Sequence, residues 1–278
     1  MELKKTLKET VEEYSLMAKK ALGQNFLLDQ NITDKIIRLS LEKQNLKNFS
    51  DFDVLEIGPG PGGLTRAILD AMPKSLSVIE MDERCIRIME ELKTETKVPF
   101  KIFNEDALIF DVSSLGFDDL QIISNLPYNI SVPLLTKWFK NLSTIKAMTL
   151  MFQKEVADRI CAPIKTKEYG RLSVLAQLLC RIDRLWTLNP ECFVPAPKVR
   201  SSVLLFRGLE KRPSTDEIEA VERLTMLAFS QRRKMIRQSL KSVANIEEIC
   251  KKIGLPLTVR AEEISPEQYL QMARLSFF

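Results

Sequence analysis

The run Asp53-Val54-Leu55-Glu56-Ile57 passes directly into Gly58-Pro59-Gly60-Pro61-Gly62-Gly63, and helical spacing resumes at Leu64-Thr65-Arg66-Ala67-Ile68-Leu69. A short apolar strand, a glycine-rich turn and a helix in immediate succession constrain the fold more than any other stretch. They build one half of a strand–helix–strand unit, and such units need a parallel sheet. The alternation continues along the chain. Leu76–Glu80, Phe100–Phe103, Gln121–Ser124 and Ala147–Phe152 read as strands. Between them, Asp82 can cap a helix carrying Ile86, Met89 and Leu92 on one face. Strands alternating with helices predict an α/β domain, with a mostly parallel sheet and helices on both faces.

Before this region, residues 1–20 read as a helix of mixed charge, and Gly23-Gln24-Asn25-Phe26-Leu27 reads as an ordered loop. A further helix is expected from a cap at Asn31, with Ile32, Ile36 and Leu39 on one face. After a last strand at 201–206 the strands stop. Residues 208–213 read as a linker, and the remainder is helical in pattern. Two domains are therefore expected: residues 1–207, α/β with an N-terminal helical extension, and residues 208–278, small and all-helical.

Composition removes several kinds of chemistry. The chain has no histidine, which excludes Ser–His and Cys–His catalysis and histidine-ligated metals. Its 5 cysteines are far apart and form no CxxC pair, so neither a disulfide framework nor a zinc site is expected, and no metal is assigned. There is no apolar run of signal-peptide or membrane-spanning character, so a cytoplasmic protein with no membrane partner is expected. The formal charge is only +4, so any nucleic-acid surface must come from local clustering.

Gly58, Gly60 and Gly63 fit G-x-G-x-x-G, a turn that lets a ligand approach the backbone closely. By itself it suits a dinucleotide, the methionine part of S-adenosylmethionine, or a bare turn. Glu80 closes the next strand, where a carboxylate can accept both hydroxyls of a ribose. Asp106 follows the third strand and can accept from an adenine amino group. Ligands of parallel sheets bind at this edge.

Asn125-Leu126-Pro127-Tyr128, at the end of the fourth strand, discriminates among these readings. The exocyclic amine of adenine is a poor nucleophile because its lone pair is delocalised into the ring. Two acceptors, the Asn125 side-chain oxygen and the Leu126 carbonyl, would draw density onto that nitrogen. Pro127 fixes the backbone and offers no competing N–H. Tyr128 offers a face on which a base can stack. A fifth element is the basic run Arg232, Arg233, Lys234, Arg237 and Lys241. Arg233, Arg237 and Lys241 recur every four residues, so one helix face presenting cations to phosphates is expected, with Met235, Ile236, Leu240 and Val243 turned to the core.

Together with Glu105-Asp106-Ala107, Phe193-Val194-Pro195-Ala196-Pro197-Lys198-Val199 and Phe229-Ser230-Gln231-Arg232-Arg233-Lys234, these motifs resemble the ribosomal RNA adenine N6,N6-dimethyltransferases over nearly the whole chain, most closely those of the bacterial small subunit. The resemblance implies a Rossmann-like class I methyltransferase sheet and S-adenosylmethionine as cofactor. It also implies dimethylation of two adjacent adenines in 16S RNA during small-subunit biogenesis. The immature small subunit would be the partner, met by a monomer. By the same resemblance, Asn25 and Leu27 contact the methyl donor, Gly58 faces its methionine portion, and Glu80 and Asp106 hold its ribose and adenine. Asn125 serves both donor and target, and Tyr128 and Phe193 sandwich the target base. The charged segment before Lys19 departs from the familiar members, and Lys19-Lys20 either touch RNA or are solvated. The rivals are a resistance-type methylase of large-subunit RNA, a dinucleotide-dependent oxidoreductase, and a non-catalytic RNA-binding factor.

Overall fold

Residues 6–16 and 25–277 are described by the structure, a computed structural model. Lys19, Lys20, Gly23 and Gln24, singled out above, lie outside them. The chain divides into two compact units, Met1–Lys154 with Asp183–Arg207, and Glu155–Ile182 with Gly208–Phe278.

In the first unit, Thr6 and Glu9 form a reciprocal capping box that starts α1 (Leu7–Glu13). β1 (Phe26–Leu27) and α2 (Gln30–Gln44) follow. The cap of α2 is Asp29, not Asn31: Asp29 Oδ1 accepts the Asn31 backbone N–H at 2.9 Å, and Asn31 is already inside the helix. Then come β2 (Asp53–Ile57), α3 (Gly63–Asp70), β3 (Ser75–Ile79), α4 (Glu83–Glu95), β4 (Phe100–Phe103), β5 (Leu120–Ser124), α5 (Tyr128–Trp138) and β6 (Ile145–Gln153). Asp82 caps α4 through the Arg84 N–H at 3.1 Å. After α6 (Lys154–Ile160) and α7 (Arg171–Leu179), the strands β7 (Cys180–Leu188), β8 (Phe193–Val194) and β9 (Ser201–Gly208) complete the β structure.

The sheet has seven strands in the order β4-β3-β2-β5-β6-β9-β7. β2 runs parallel to β3 and β5, β3 to β4, and β5 to β6; β9 is antiparallel to β6. Every residue of β2 and β5 is buried, as strands covered on both faces require. The chain moves outward from β2 to β4 and then returns to lay β5 on the other side of β2. The strand order thus reverses between β2 and β5, where parallel sheets open a crevice at their carboxyl ends. β7 was not anticipated from the sequence. Arg181, Asp183 and Arg184 interrupt its apolar pattern, which an edge strand tolerates, and only its terminal residues Cys180 and Leu188 are buried.

The second unit holds α7, most of α6, and α8 (Thr215–Ser230), α9 (Ile236–Ser239), α10 (Ile246–Lys252) and α11 (Pro266–Phe277). Residues 155–182, assigned to the first domain from the sequence, cluster here with the C-terminal helices. The Tyr169 hydroxyl donates to the Ile264 carbonyl at 2.9 Å, and the Lys165 N–H to the Glu262 carbonyl at 2.7 Å. The Tyr169 and Tyr269 rings lie 6.2 and 6.1 Å from that of Phe229. Aromatic burial joins segments the sequence separates by the last strands of the sheet.

Candidate active site

A cleft opens at the carboxyl ends of β2, β3, β4 and β5 in the first unit. Its wall brings together Asn25, Gly58, Gly60, Glu80, Asp106, Asn125, Leu126, Pro127 and Tyr128. The strand ends are tied level with one another. The Gly58 N–H donates to Ile79 O at 2.9 Å, the Glu80 N–H to Phe103 O at 3.0 Å, and Ser124 Oγ to Ile57 O at 2.7 Å. Gly60 has φ +57°, and a Cβ there would lie 2.9 Å from the Phe26 ring, so glycine is required on both counts. Gly58, at φ +63°, has open space where a side chain would stand, the nearest atom being Pro127 Cδ at 3.9 Å. A ligand can therefore reach its backbone.

Two carboxylates stand beside this turn. Glu80 Oε1 accepts the N–H groups of Met81 and Asp82, both at 2.8 Å, and the Gly60 N–H also bonds the carboxylate. Burial raises its pKa, and these three N–H groups pull it back down. Asp106 Oδ1 accepts the Leu108 N–H at 2.8 Å, and the Asp106 carbonyl accepts from Ile109 and Phe110 in the same turn.

A third acid, Glu56, was given no role from the sequence. It is 1% exposed, and Thr65 Oγ1 donates to it at 2.7 Å. Burial pushes its pKa up to about 8, with the Glu80 charge adding to the rise and Thr65 opposing it. The only signal for it was an acid inside an otherwise apolar strand.

At the end of β5, the Asn125 side-chain Nδ2 donates to the Asn25 carbonyl at 3.1 Å. That bond turns the amide so that Oδ1 remains an acceptor. Leu126 is buried, and Pro127 is the N-cap of α5 with no side-chain cap bond. The Tyr128 hydroxyl and Ser201 Oγ are 2.6 Å apart, and Ser131 Oγ donates to the Tyr128 carbonyl at 2.9 Å. Tyr128 is thus tied through its hydroxyl and through its backbone carbonyl on the cleft wall.

Leu27 and Phe193 are not on that wall. They face each other in the antiparallel ladder of β1 with β8. They are 5% and 2% exposed, within the apolar core of the unit. Their neighbours Asn25 and Phe26 line the cleft instead.

The basic run lies in the second unit and is not one helix face. α8 ends at Ser230, and Met235, in extended conformation, bridges to Arg260 before α9 begins. Arg233, Lys234, Arg237 and Lys241 are exposed, and Ile236, Leu240 and Val243 are buried. Arg232 is bound within the unit, donating to the Glu262 carboxylate and to the Thr166 carbonyl at 2.9 Å. Among the described residues, no cluster of acids and cysteines is placed to hold a metal, and no helix is long and apolar enough to cross a membrane.

A sheet of this order, with a glycine turn, paired acids and an Asn-Leu-Pro-Tyr turn at its switch point, defines the class I methyltransferase fold. Solved structures agree on the fold. A dimethyladenosine transferase of Plasmodium falciparum aligns at a TM-score of 0.71 and 24% identity, over 88% of this chain and 94% of that one. The 23S rRNA methyltransferase ErmE aligns at 0.67 and 24% identity, over 91% and 99%. The family model described as ribosomal RNA adenine dimethylase matches residues 16–276. The chain is 42% identical to proteins of Rhodospirillum rubrum and Cereibacter sphaeroides, both named ribosomal RNA small subunit methyltransferase A. Those alignments span 96% of this chain and 91% and 95% of the relatives. The chain belongs to the ribosomal RNA adenine dimethylase family and is an rRNA adenine dimethyltransferase.

Proposed function

We propose that the protein uses S-adenosylmethionine to convert two adjacent adenines of small-subunit (16S) ribosomal RNA to N6,N6-dimethyladenine, acting on the immature small subunit. The observation that carries this reading is the Asn125 amide, oriented by Asn25 so that its oxygen is left as an acceptor on the cleft wall. The names of the relatives favour the small subunit.

The cleft suits the donor chemically. The open backbone at Gly58 admits a close approach by its methionine part. Glu80, held by N–H groups, presents a carboxylate to ribose hydroxyls, and Asp106 presents one to an adenine amine. When bound, S-adenosylmethionine supplies a sulfonium methyl group. The protein's part is alignment. Asn125 Oδ1 and the Leu126 carbonyl accept hydrogen bonds from the target amine and localise its lone pair. Tyr128 stacks the base, which must be unstacked from the RNA to enter. With no histidine in the chain, the amine proton leaves through these oxygen acceptors to water. For the second transfer only one N–H remains, so one of the two acceptors suffices. Phe193 is buried and takes part as a second stacking ring only by turning out of the core; Tyr128 already lies on the wall. Arg233, Lys234, Arg237 and Lys241 are the proposed phosphate contacts. The same reading has the protein working as a monomer in the cytoplasm.

Two measurements test it. Calorimetry is expected to show binding of S-adenosylmethionine and not of NAD; the reverse refutes a methyltransferase. Methyl transfer is expected to immature small subunits, whereas transfer to naked large-subunit RNA alone would establish the resistance-type reading instead.

A further inference from the structure

We infer that Lys137 is a positioning residue for the donor-binding segment: its ammonium pins the backbone that follows Asp106. The inference rests on the reading that this cleft binds S-adenosylmethionine.

Lys137 lies in the last turn of α5, the helix whose first residue is Tyr128. Its Nζ donates to three backbone carbonyls, Ala107 O at 3.4 Å, Leu108 O at 2.8 Å and Phe110 O at 2.6 Å. An ammonium has three N–H donors and no acceptor, so this set uses its whole capacity. The ordinary role of a lysine near a helix C-terminus is to meet the last carbonyls of its own helix. Here the carbonyls belong to another segment, and that segment lines the cleft through Asp106, Ala107 and Leu108.

The segment needs holding. Leu108 and Ile109 are 38% and 78% exposed, so apolar burial fixes it only through Ala107 and Phe110. On its N–H side, Leu108 bonds Asp106 Oδ1, while Ile109 and Phe110 bond the Asp106 carbonyl. Lys137 occupies the opposite, carbonyl side. The turn is thus gripped by Asp106 through its N–H groups and by Lys137 through its carbonyls, and the two grips together fix where the Asp106 carboxylate stands. One helix thereby carries the acceptor-side Tyr128 at its start and the anchor of the donor-side loop at its end.

Three full-length variants test this: Lys137→Met, which removes every donor, Lys137→Gln, which keeps two, and Lys137→Arg, which keeps a charged fork. The readouts are calorimetric Kd for S-adenosylmethionine and S-adenosylhomocysteine, KM for donor and for RNA, and kcat at saturating donor, each below the melting temperature of the variant. Lys137→Met is expected to weaken both ligands about tenfold and raise the donor KM alike. Its kcat and RNA KM should stay within about twofold, since no transition-state contact is removed. Affinity should recover in the order Met, Gln, Arg. Unchanged donor affinity in Lys137→Met, no such order, or kcat and both KM values moving together would overturn the inference. Failure of the unaltered protein to bind the donor would instead refute the parent reading.

Discussion

Asn125 joins two jobs in one side chain, donating from Nδ2 to Asn25 and leaving Oδ1 to accept. Replacing it with alanine removes a preorganised acceptor, and kcat for methyl transfer is expected to fall by about a hundredfold or more. Single-turnover assays with labelled donor check this. At Tyr128 the ring and the hydroxyl separate cleanly. Tyr128→Phe gives up only the hydroxyl's bond with Ser201 and should keep most activity. Tyr128→Ala removes a stacking face worth about 1–3 kcal/mol, and kcat/KM for RNA should drop about tenfold to a hundredfold. Glu56 predicts a pH effect. Its pKa, about 8 in the folded protein against 4.5 for an exposed carboxyl, means the native state holds the proton more tightly. The resulting stabilisation is complete below the unfolded value and is lost as pH rises through the folded one. Glu56→Gln should therefore melt with a shallower decline than the unaltered protein between about pH 5 and 8. Glu80, also raised by burial, is present in both proteins, so the difference reports Glu56. Asn125 and Tyr128 were legible as cleft residues because their motif follows the fourth strand of a parallel sheet, whose carboxyl end borders the crevice. Glu56 was not, because an acid within a short strand reads equally as a solvent-facing position. Nor was the burial of Leu27 and Phe193, which depends on a two-residue ladder between segments far apart in the chain.

At the scale of elements, the glycine turn and the β1 strand are one construction. Gly60→Ala would place a Cβ against Phe26 at a positive φ. It would also strain the N–H that bonds Glu80. A cost of about 1–2 kcal/mol from the left-handed conformation alone is expected. Calorimetry should show weaker donor binding together with a lower melting temperature. In the basic segment, the four-residue spacing predicted a continuous helix, and it failed because Met235 pairs with Arg260 and resets the backbone. Spacing reports a helix only while no tertiary hydrogen bond competes for the same residues. The structure separates the basic residues into two kinds. Arg232→Ala should lower the melting temperature, since it leaves Glu262 without its partner. Neutralising Arg233, Lys234, Arg237 and Lys241 together should leave melting nearly unchanged. RNA affinity should weaken, with a salt slope shallower by up to about 0.7–0.9 for each phosphate no longer neutralised. Titrations at several salt concentrations check this.

For the whole molecule, the parallel sheet was legible because its central strands are buried on both faces and so appear as short apolar-rich runs, as in Leu150-Met151-Phe152 of β6. The edge strand β7, half solvated and punctuated by charge, left no such trace. The discontinuous second unit was invisible for a different reason. Tyr169 and Phe229 meet only after the chain has returned to the sheet for β7 and β9, and no local pattern records that. What these scales share is one claim, that the strand ends of the first unit bring a methyl donor and an adenine amine to Asn125. The most direct test is nucleoside mass spectrometry of small-subunit RNA after incubation of immature subunits with S-adenosylmethionine and either the unaltered protein or Asn125→Ala. Two N6,N6-dimethyladenosines per RNA are expected with the unaltered protein, and a near-complete loss with the variant. Equal dimethylation by both proteins, or none by either, would contradict that claim.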